Sequence, residues 1–384
     1  MEGPAMNIPA GGWGAQFRWS FGDAQTQEAL HQYQGAMQAL ELVYDNDGLW
    51  EWGDPRGEGP EMIRRMVDQY AQVGARALVW GCGNNLAWSY TPRVQEAWCD
   101  RVPRDKENLD QLARRQRQWL DAGTDPLAVV LERARVHHLP VLAGFRLNRF
   151  FQIYGVESWY ENNPQFVLSP ASCPLNPSQY SVDLARPEVR DHFVAQCIDV
   201  VARYPVQGLH LEFMRAIPFF ERGQEDKAAH LNEFLRQLRR ELDGIGRQRG
   251  CHLELAIWSG TPQNYRVIRK GLFPPEFCEL EYHGIDIPTW ISEGLVDRLM
   301  LSTWSGGPGR RGIPVELQPW VEMAWGSRTR ILGEIDNAWE LPEPVHLREA
   351  ESVIRQTAAT SDGVFLFNIQ PYALALILAG ARQG

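Results

Sequence analysis

Gly208-Leu209-His210-Leu211-Glu212-Phe213-Met214 alternates in character along its length. Leu209, Leu211 and Phe213 fall on one face of an extended segment, and His210, Glu212 and Met214 fall on the other. A period of two is the mark of a strand. The flanks on both sides are helical. Pro187 opens a pattern that runs to about residue 203, with proline in its favoured first-turn position. Downstream, Leu231, Phe234, Leu235, Leu238 and Leu242 repeat at helical spacing within 225–246. The apolar face of the strand is therefore expected to pack on a helical layer, with His210, Glu212 and Met214 turned to the opposite side.

The same unit recurs outward in both directions. Apolar runs lie at 40–44, 77–80, 141–145, 208–214, 252–258, 298–304, 330–334 and 363–368. Amphipathic stretches at 61–73, 107–121, 126–137, 288–294 and 347–360 fall between them. Eight strands alternating with helices predict a (β/α)8 TIM barrel of the α/β class. An open doubly wound sheet would carry a glycine-rich nucleotide loop after its first strand, and Asp45-Asn46-Asp47-Gly48-Leu49-Trp50 is not one. No G-x-x-x-x-G-K-[ST], H-E-x-x-H or G-x-S-x-G occurs, which disfavours P-loop, zincin and α/β-hydrolase chemistry. No shift in composition marks a second domain. Residues 1–38 are expected to form an amino-terminal extension capping the barrel bottom, with 39–384 as the barrel. Segments 84–106 and 149–182 are long loops on the substrate side.

Composition narrows the class. The 384 residues are 44% hydrophobic and 22% charged, ordinary for a globular chain and unlike a disordered, collagenous or disulfide-scaffold one. The net charge of −10 argues against general affinity for nucleic acid or an anionic membrane. Lys106, Lys227 and Lys270 are the only lysines and none sits in an apolar run, so Schiff-base chemistry has few places to go. The six cysteines show no C-x-x-C spacing, which indicates buried thiols rather than a zinc or redox motif. No apolar stretch is long enough for a membrane span. Residues 1–19 lack a basic start followed by an apolar run, so the chain as written reads as cytoplasmic; a leader already removed would make it secreted or periplasmic.

In a parallel barrel the active site lies at the carboxyl ends of the strands. Alternation puts Glu212 near the top of the fourth run, pointing inward, and Glu334 likewise on the seventh. Two carboxylates facing one another across a barrel mouth are what glycoside hydrolysis requires: one protonates the leaving oxygen, the other attacks or activates water. Asp336 stands two residues beyond Glu334 and could take its place. A strand-end carboxylate can instead simply pair with an arginine such as Arg146 or Arg215. Asp45, Asp47, Arg146, Asn148, His210, Arg215 and Asn368 also end or line apolar runs and are candidates for binding hydroxyl groups, although Asp and Asn there also cap turns. Asp45 with Asp47 is too thin a set for a cation. Trp80, Trp258 and Trp304 close runs, and Trp88, Tyr90, Trp159 and Tyr160 lie in the long loops. Such rings suit the apolar faces of sugars, and they also fill cores. The loop 305–312, rich in glycine with Arg310 and Arg311, reads as a surface loop.

At Tyr44-Asp45-Asn46-Asp47-Gly48, at Gly208-Leu209-His210-Leu211-Glu212-Phe213-Met214-Arg215, and at the G-x-D-x-x-x-W-x-x-x-G-L-V-D pattern of 284–297, the chain resembles a group of glycoside-hydrolase-like barrel proteins. The resemblance spans roughly 40–370 and implies a TIM barrel and carbohydrate hydrolysis. Its relatives often carry Asp where this chain has Glu212. Carboxylates on strands four and seven are also similar to the large retaining-glycosidase clan, with His210-Leu211-Glu212 standing where an Asn-Glu pair is usual. The resulting expectation is a retaining glycoside hydrolase acting on an oligo- or polysaccharide, without cofactor or metal. Glu212 is its expected general acid/base and Glu334 its nucleophile, with Arg146, Asn148 and Arg215 positioning hydroxyl groups. The alternatives are a carbohydrate-binding barrel without turnover, and a lyase or isomerase of sugar acids.

Overall fold

The computed structural model describes residues 41–46, 59–102, 107–147, 150–151, 155–172, 179–214, 218–262, 264–265, 275–302, 316–336, 354 and 356–367. The expected extension 1–38 and the loop 305–312 lie outside them, as does most of the helix expected at 347–360. Eight strands form the barrel: β1 (Leu42–Asn46), β2 (Ala77–Gly83), β3 (Val141–Arg146), β4 (Gly208–Glu212), β5 (Glu254–Ser259), β6 (Arg298–Ser302), β7 (Arg330–Asp336) and β8 (Gly363–Phe367). All pair in parallel with their sequence neighbours, and β8 closes on β1. The fold is a (β/α)8 barrel. A short antiparallel pair, Phe150–Phe151 with Gln179–Tyr180, decorates the connection after β3.

The helices between strands include α1 (Pro60–Gln72), α2 (Glu107–Asp121), α3 (Pro126–Val136), α4 (Pro187–Arg203), α5 (Lys227–Arg249), α6 (Ile287–Ser292) and α7 (Gln318–Ala324). Proline stands in the first turn of α1, α3, α4, α6 and α7, where its missing N–H costs nothing. Asp125 caps α3 by accepting from the Ala128 amide, and Asp286 caps α6 by accepting from that of Thr289. The sequence pattern ends α5 near Gly246, yet the helix continues to Arg249 and stops on Gly250 at φ +69°. A Cβ at Gly246 would stand 2.6 Å from the Cys251 carbonyl oxygen, so this glycine admits the returning chain rather than ending the helix.

Alternation divides the strand side chains between two shells. Val43, Val79, Leu142, Ala256, Met300, Leu332 and Phe365 fill the barrel. Leu209, Leu211 and Phe213 of the deciding stretch join the outer core with helix residues such as Leu231, Phe234 and Leu235. Because the strands are tilted, alternate strands contribute to each interior layer. The registers place Gly81, Glu212, Ser302 and Phe367, from β2, β4, β6 and β8, in one layer at the carboxyl end. Asp45, Gly144, Trp258 and Glu334, from β1, β3, β5 and β7, form the layer beneath.

The opposite end is held by charge. Asp297, just ahead of β6, accepts from Arg239 Nη1 of α5 at 3.0 Å and from the Leu255 amide at 2.8 Å. His252 Nε2 lies 2.8 Å from the same carboxylate. One buried acid thus ties β5 and β6 to α5 at the face of the barrel that serves stability. No helix among the described residues is long and apolar enough to cross a membrane.

Candidate active site

Glu212 ends β4 and turns inward, because its neighbours Leu211 and Phe213 are committed to the outer core. Its register partner on β3 is Arg146, whose Nε donates to Glu212 Oε2 at 2.7 Å. The two side chains are only 10% and 6% exposed, so the pair is nearly desolvated. Arg146 is thereby turned on the carboxylate rather than presented to an open cleft. An aromatic ring also lies against Arg146, whose Cζ stands 5.4 Å from the centroid of the Trp88 ring.

Glu334, on β7, is fully buried one layer below. Ser302, its register partner on β6, donates from Oγ to Glu334 Oε2 at 2.9 Å. In the same layer Asp45 approaches the inward His210, Oδ2 to Nδ1, at 3.9 Å. Burial pushes the His210 pKa down to about 4, against the pull of the Glu212 charge, so this imidazole is neutral at pH 7. His210 Nε2 has no hydrogen-bond partner among the described residues. Trp258 also points inward, its ring wedged between Phe365 at 5.4 Å and Phe367 at 4.4 Å. It forms part of the floor beneath the mouth, not an open stacking platform, and its Nε1 has no partner among the described residues. The described residues hold no cluster of three or more metal-ligating side chains.

Three features depart from the sequence reading. Trp80 is not a cleft residue. It pairs in register with Asn46 and Ala143, faces the helices, and is completely buried in the outer core. The apolar run seemed to end there, but β2 continues to Gly83, which leaves Trp80 mid-strand on the outward parity. Trp88, Tyr90 and Tyr160 are likewise buried, and Trp159 stacks on His192 at 4.0 Å. The described aromatic rings of the long loops are therefore spent on packing. The loops are also bound to each other: Asn85 Oδ1 accepts from the Glu157 amide, and the Glu157 carboxylate meets His192 and Gln196 of α4. Burial raises the Glu157 pKa. Asp47, Asn148, Arg215, Trp304 and Asn368 lie outside the described residues, as does the side chain of Asp336. Ser302 was not singled out from the sequence, although the parity that places Met300 inward places it inward too.

Residues 106–232 match the model of the family described as glycosyl hydrolase-like 10. The matched segment contains β3 and β4, hence Arg146, His210 and Glu212, and ends before Glu334. No curated protein matches the sequence. Among solved structures, the chain is similar to α-L-fucosidase isoenzyme 2 from Paenibacillus thiaminolyticus, with a TM-score of 0.51 and 14% identity over 90% of this chain and 49% of that one. It is also similar to the endo-1,4-β-mannanase from Rhizomucor miehei, with a TM-score of 0.51 and 9% identity over 90% of this chain and 94% of that one. The chain spans about half the length of the fucosidase, and at these identities both likenesses are of fold alone. Over residues 106–232 the chain is thus similar to the glycosyl hydrolase-like 10 family, and over its described length it shares the barrel fold of these two enzymes.

Proposed function

We propose that the barrel hydrolyses a glycosidic bond in an oligo- or polysaccharide, with Glu212 and Glu334 as its working carboxylates. The observation that carries this reading is the Arg146–Glu212 pair at the carboxyl end of β3 and β4, inside the family-matched segment. A guanidinium against a carboxylate favours the ionised form. That suits a group attacking the anomeric carbon better than one delivering a proton, which reverses the roles expected from the sequence. Glu212 takes the nucleophilic role. Glu334 accepts from the neutral hydroxyl of Ser302, and it takes the proton-transfer role. Net retention then requires the two carboxyl groups to come within about 5–5.5 Å of each other around the bound sugar. The fucosidase and the mannanase, whose barrels are of this kind, add support at the level of reaction class.

The test is a panel of chromogenic glycosides and polysaccharides offered to the wild type, Glu212→Gln and Glu334→Gln. Turnover by the wild type and its loss in both folded variants is the expected result. On a responsive substrate, Glu212→Ala with added azide should yield a glycosyl azide of inverted configuration. An azide of retained configuration would return Glu212 to the acid/base role. Turnover persisting in Glu212→Gln would end the proposal. One observation favours the carbohydrate-binding alternative, the complete burial of Glu334. Sugar binding without hydrolysis across the panel would select it.

A further inference from the structure

We propose that Trp88 is a positioning residue for the reacting carboxylate, acting through Arg146. The inference rests on the reading of Glu212 as that carboxylate and extends it to a residue in the loop after β2. The construction begins with the backbone. A register shift between Gly81 and Gly83 breaks the β2–β3 ladder, and Gly83 forms an antiparallel bridge with Ala87. A Cβ at Gly83 would stand 2.3 Å from the Leu86 carbonyl oxygen, so only glycine permits this fold-back. The reversed segment is then pinned to the strand it left. The Trp88 amide donates to the Cys82 carbonyl at 2.7 Å, and Ser89 Oγ donates to the Gly81 carbonyl at 2.7 Å. From α2, Gln116 Nε2 donates to the carbonyls of Ala87 and Trp88.

The result is a ring on β2's loop held over a side chain of β3. Trp88 is 3% exposed and packs with Leu86, Ala97, Trp98 and Ala113, so it is not placed to stack on a sugar. Its centroid lies 5.4 Å from Arg146 Cζ, within cation–π range, and desolvation strengthens that attraction. Arg146 in turn donates to Glu212. An arginine side chain has many rotamers. The ring confines the guanidinium to those that keep Nε on the carboxylate. Among the described residues, the charged and titratable groups facing this region are Arg146 from β3, His210 from the strand of Glu212 itself, Asp45 from β1 and Glu334 from β7.

The experiment compares Trp88→Leu with Trp88→Phe, the first keeping apolar bulk and the second keeping an aromatic face. The readout is the carbon-13 carboxyl resonance of Glu212 followed across pH, assigned by its disappearance in Glu212→Gln. It needs no substrate, so it decides this proposal even if the barrel turns nothing over. In Trp88→Leu the titration midpoint should rise by about half a pH unit or more, because the guanidinium is no longer held against the carboxylate. In Trp88→Phe it should stay near the wild-type value. On a responsive substrate, kcat should fall in Trp88→Leu with KM little changed. A folded Trp88→Leu whose Glu212 titrates as in the wild type would overturn the proposal. If Trp88→Leu does not fold, a midpoint in Trp88→Phe that moves as far as in Arg146→Met would overturn it instead.

Discussion

Replacing Arg146 by methionine removes the cation while keeping a long apolar stem. The Nε–Oε2 separation of 2.7 Å corresponds to about 6 kcal/mol of attraction at an effective dielectric of about 20. Burying both charges offsets much of that, so the net coupling expected is about 3 kcal/mol. Leaving Glu212 without the guanidinium should cost about 3–5 kcal/mol of stability. Both side chains are almost out of solvent, so little of this is lost to screening. With a urea dependence of about 3 kcal/mol per molar, the unfolding midpoint of Arg146→Met should fall by about 1 M or slightly more. Glu212→Gln leaves the arginine facing a neutral acceptor and should cost less. The double variant should recover most of the loss of Arg146→Met, and the non-additivity measures the coupling. Equilibrium urea unfolding followed by far-ultraviolet circular dichroism supplies all four values. If Arg146→Met lost under about 1 kcal/mol, or if the two changes simply added, the pair would not be the coupled, desolvated contact on which the site is built.

His210 and His283 are buried and neutral, their pKa values pushed down by burial to about 4 and about 3. An unfolded histidine takes up its proton near about pH 6.5, so between these values the unfolded chain binds more protons. Their contribution is thus fully present above about pH 6.5 and lost as pH falls toward 4; urea midpoints should decline over that window, less steeply in His283→Gln, and a flat profile would contradict the burial argument. Trp80→Phe should lower stability by about 1–2 kcal/mol while leaving KM for any substrate unchanged, whereas a raised KM would put Trp80 back in the cleft. Asp297→Ala should cost about 1–3 kcal/mol by leaving the Leu255 amide without its acceptor and Arg239 with Asp243 as its remaining carboxylate, a loss that thermal unfolding would show and that a wild-type melting temperature would refute.

Parity made the inner face of β4 readable from the sequence: with Leu209, Leu211 and Phe213 claimed by the helices, His210, Glu212 and Met214 had only the barrel interior left. The same logic reached Glu334. It failed at Trp80 because parity needs the strand's true extent, and β2 runs past the tryptophan into small residues, Gly81-Cys82-Gly83, that read as a turn. It could not single out Arg146 as a partner for Glu212, because that pairing depends on how β3 registers against β4, a tertiary property with no local trace. Trp88 was visible only as an aromatic residue in a loop. Its place is fixed by main-chain carbonyls of Gly81 and Cys82, which every sequence possesses.

The stagger of the barrel has a consequence for the chemistry. Alternate strands feed alternate layers, so an acid on β4 and an acid on β7 cannot share a level: Glu212 lies at the mouth and Glu334 one layer down. The two carboxylates differ in their described contacts, Glu212 accepting from a guanidinium and Glu334, fully buried, from a serine hydroxyl. Under the proposed function the two acids need opposite protonation, and the parity of the strand number would supply that asymmetry. Moving the mouth carboxylate to the same-layer position on β6, by Glu212→Gln with Ser302→Glu, keeps an acid in the upper layer but separates it from Arg146. If the asymmetry resides in the arginine rather than in depth, that exchange should leave the enzyme without turnover; a variant that regained more than about a tenth of wild-type kcat/KM would show that depth alone suffices.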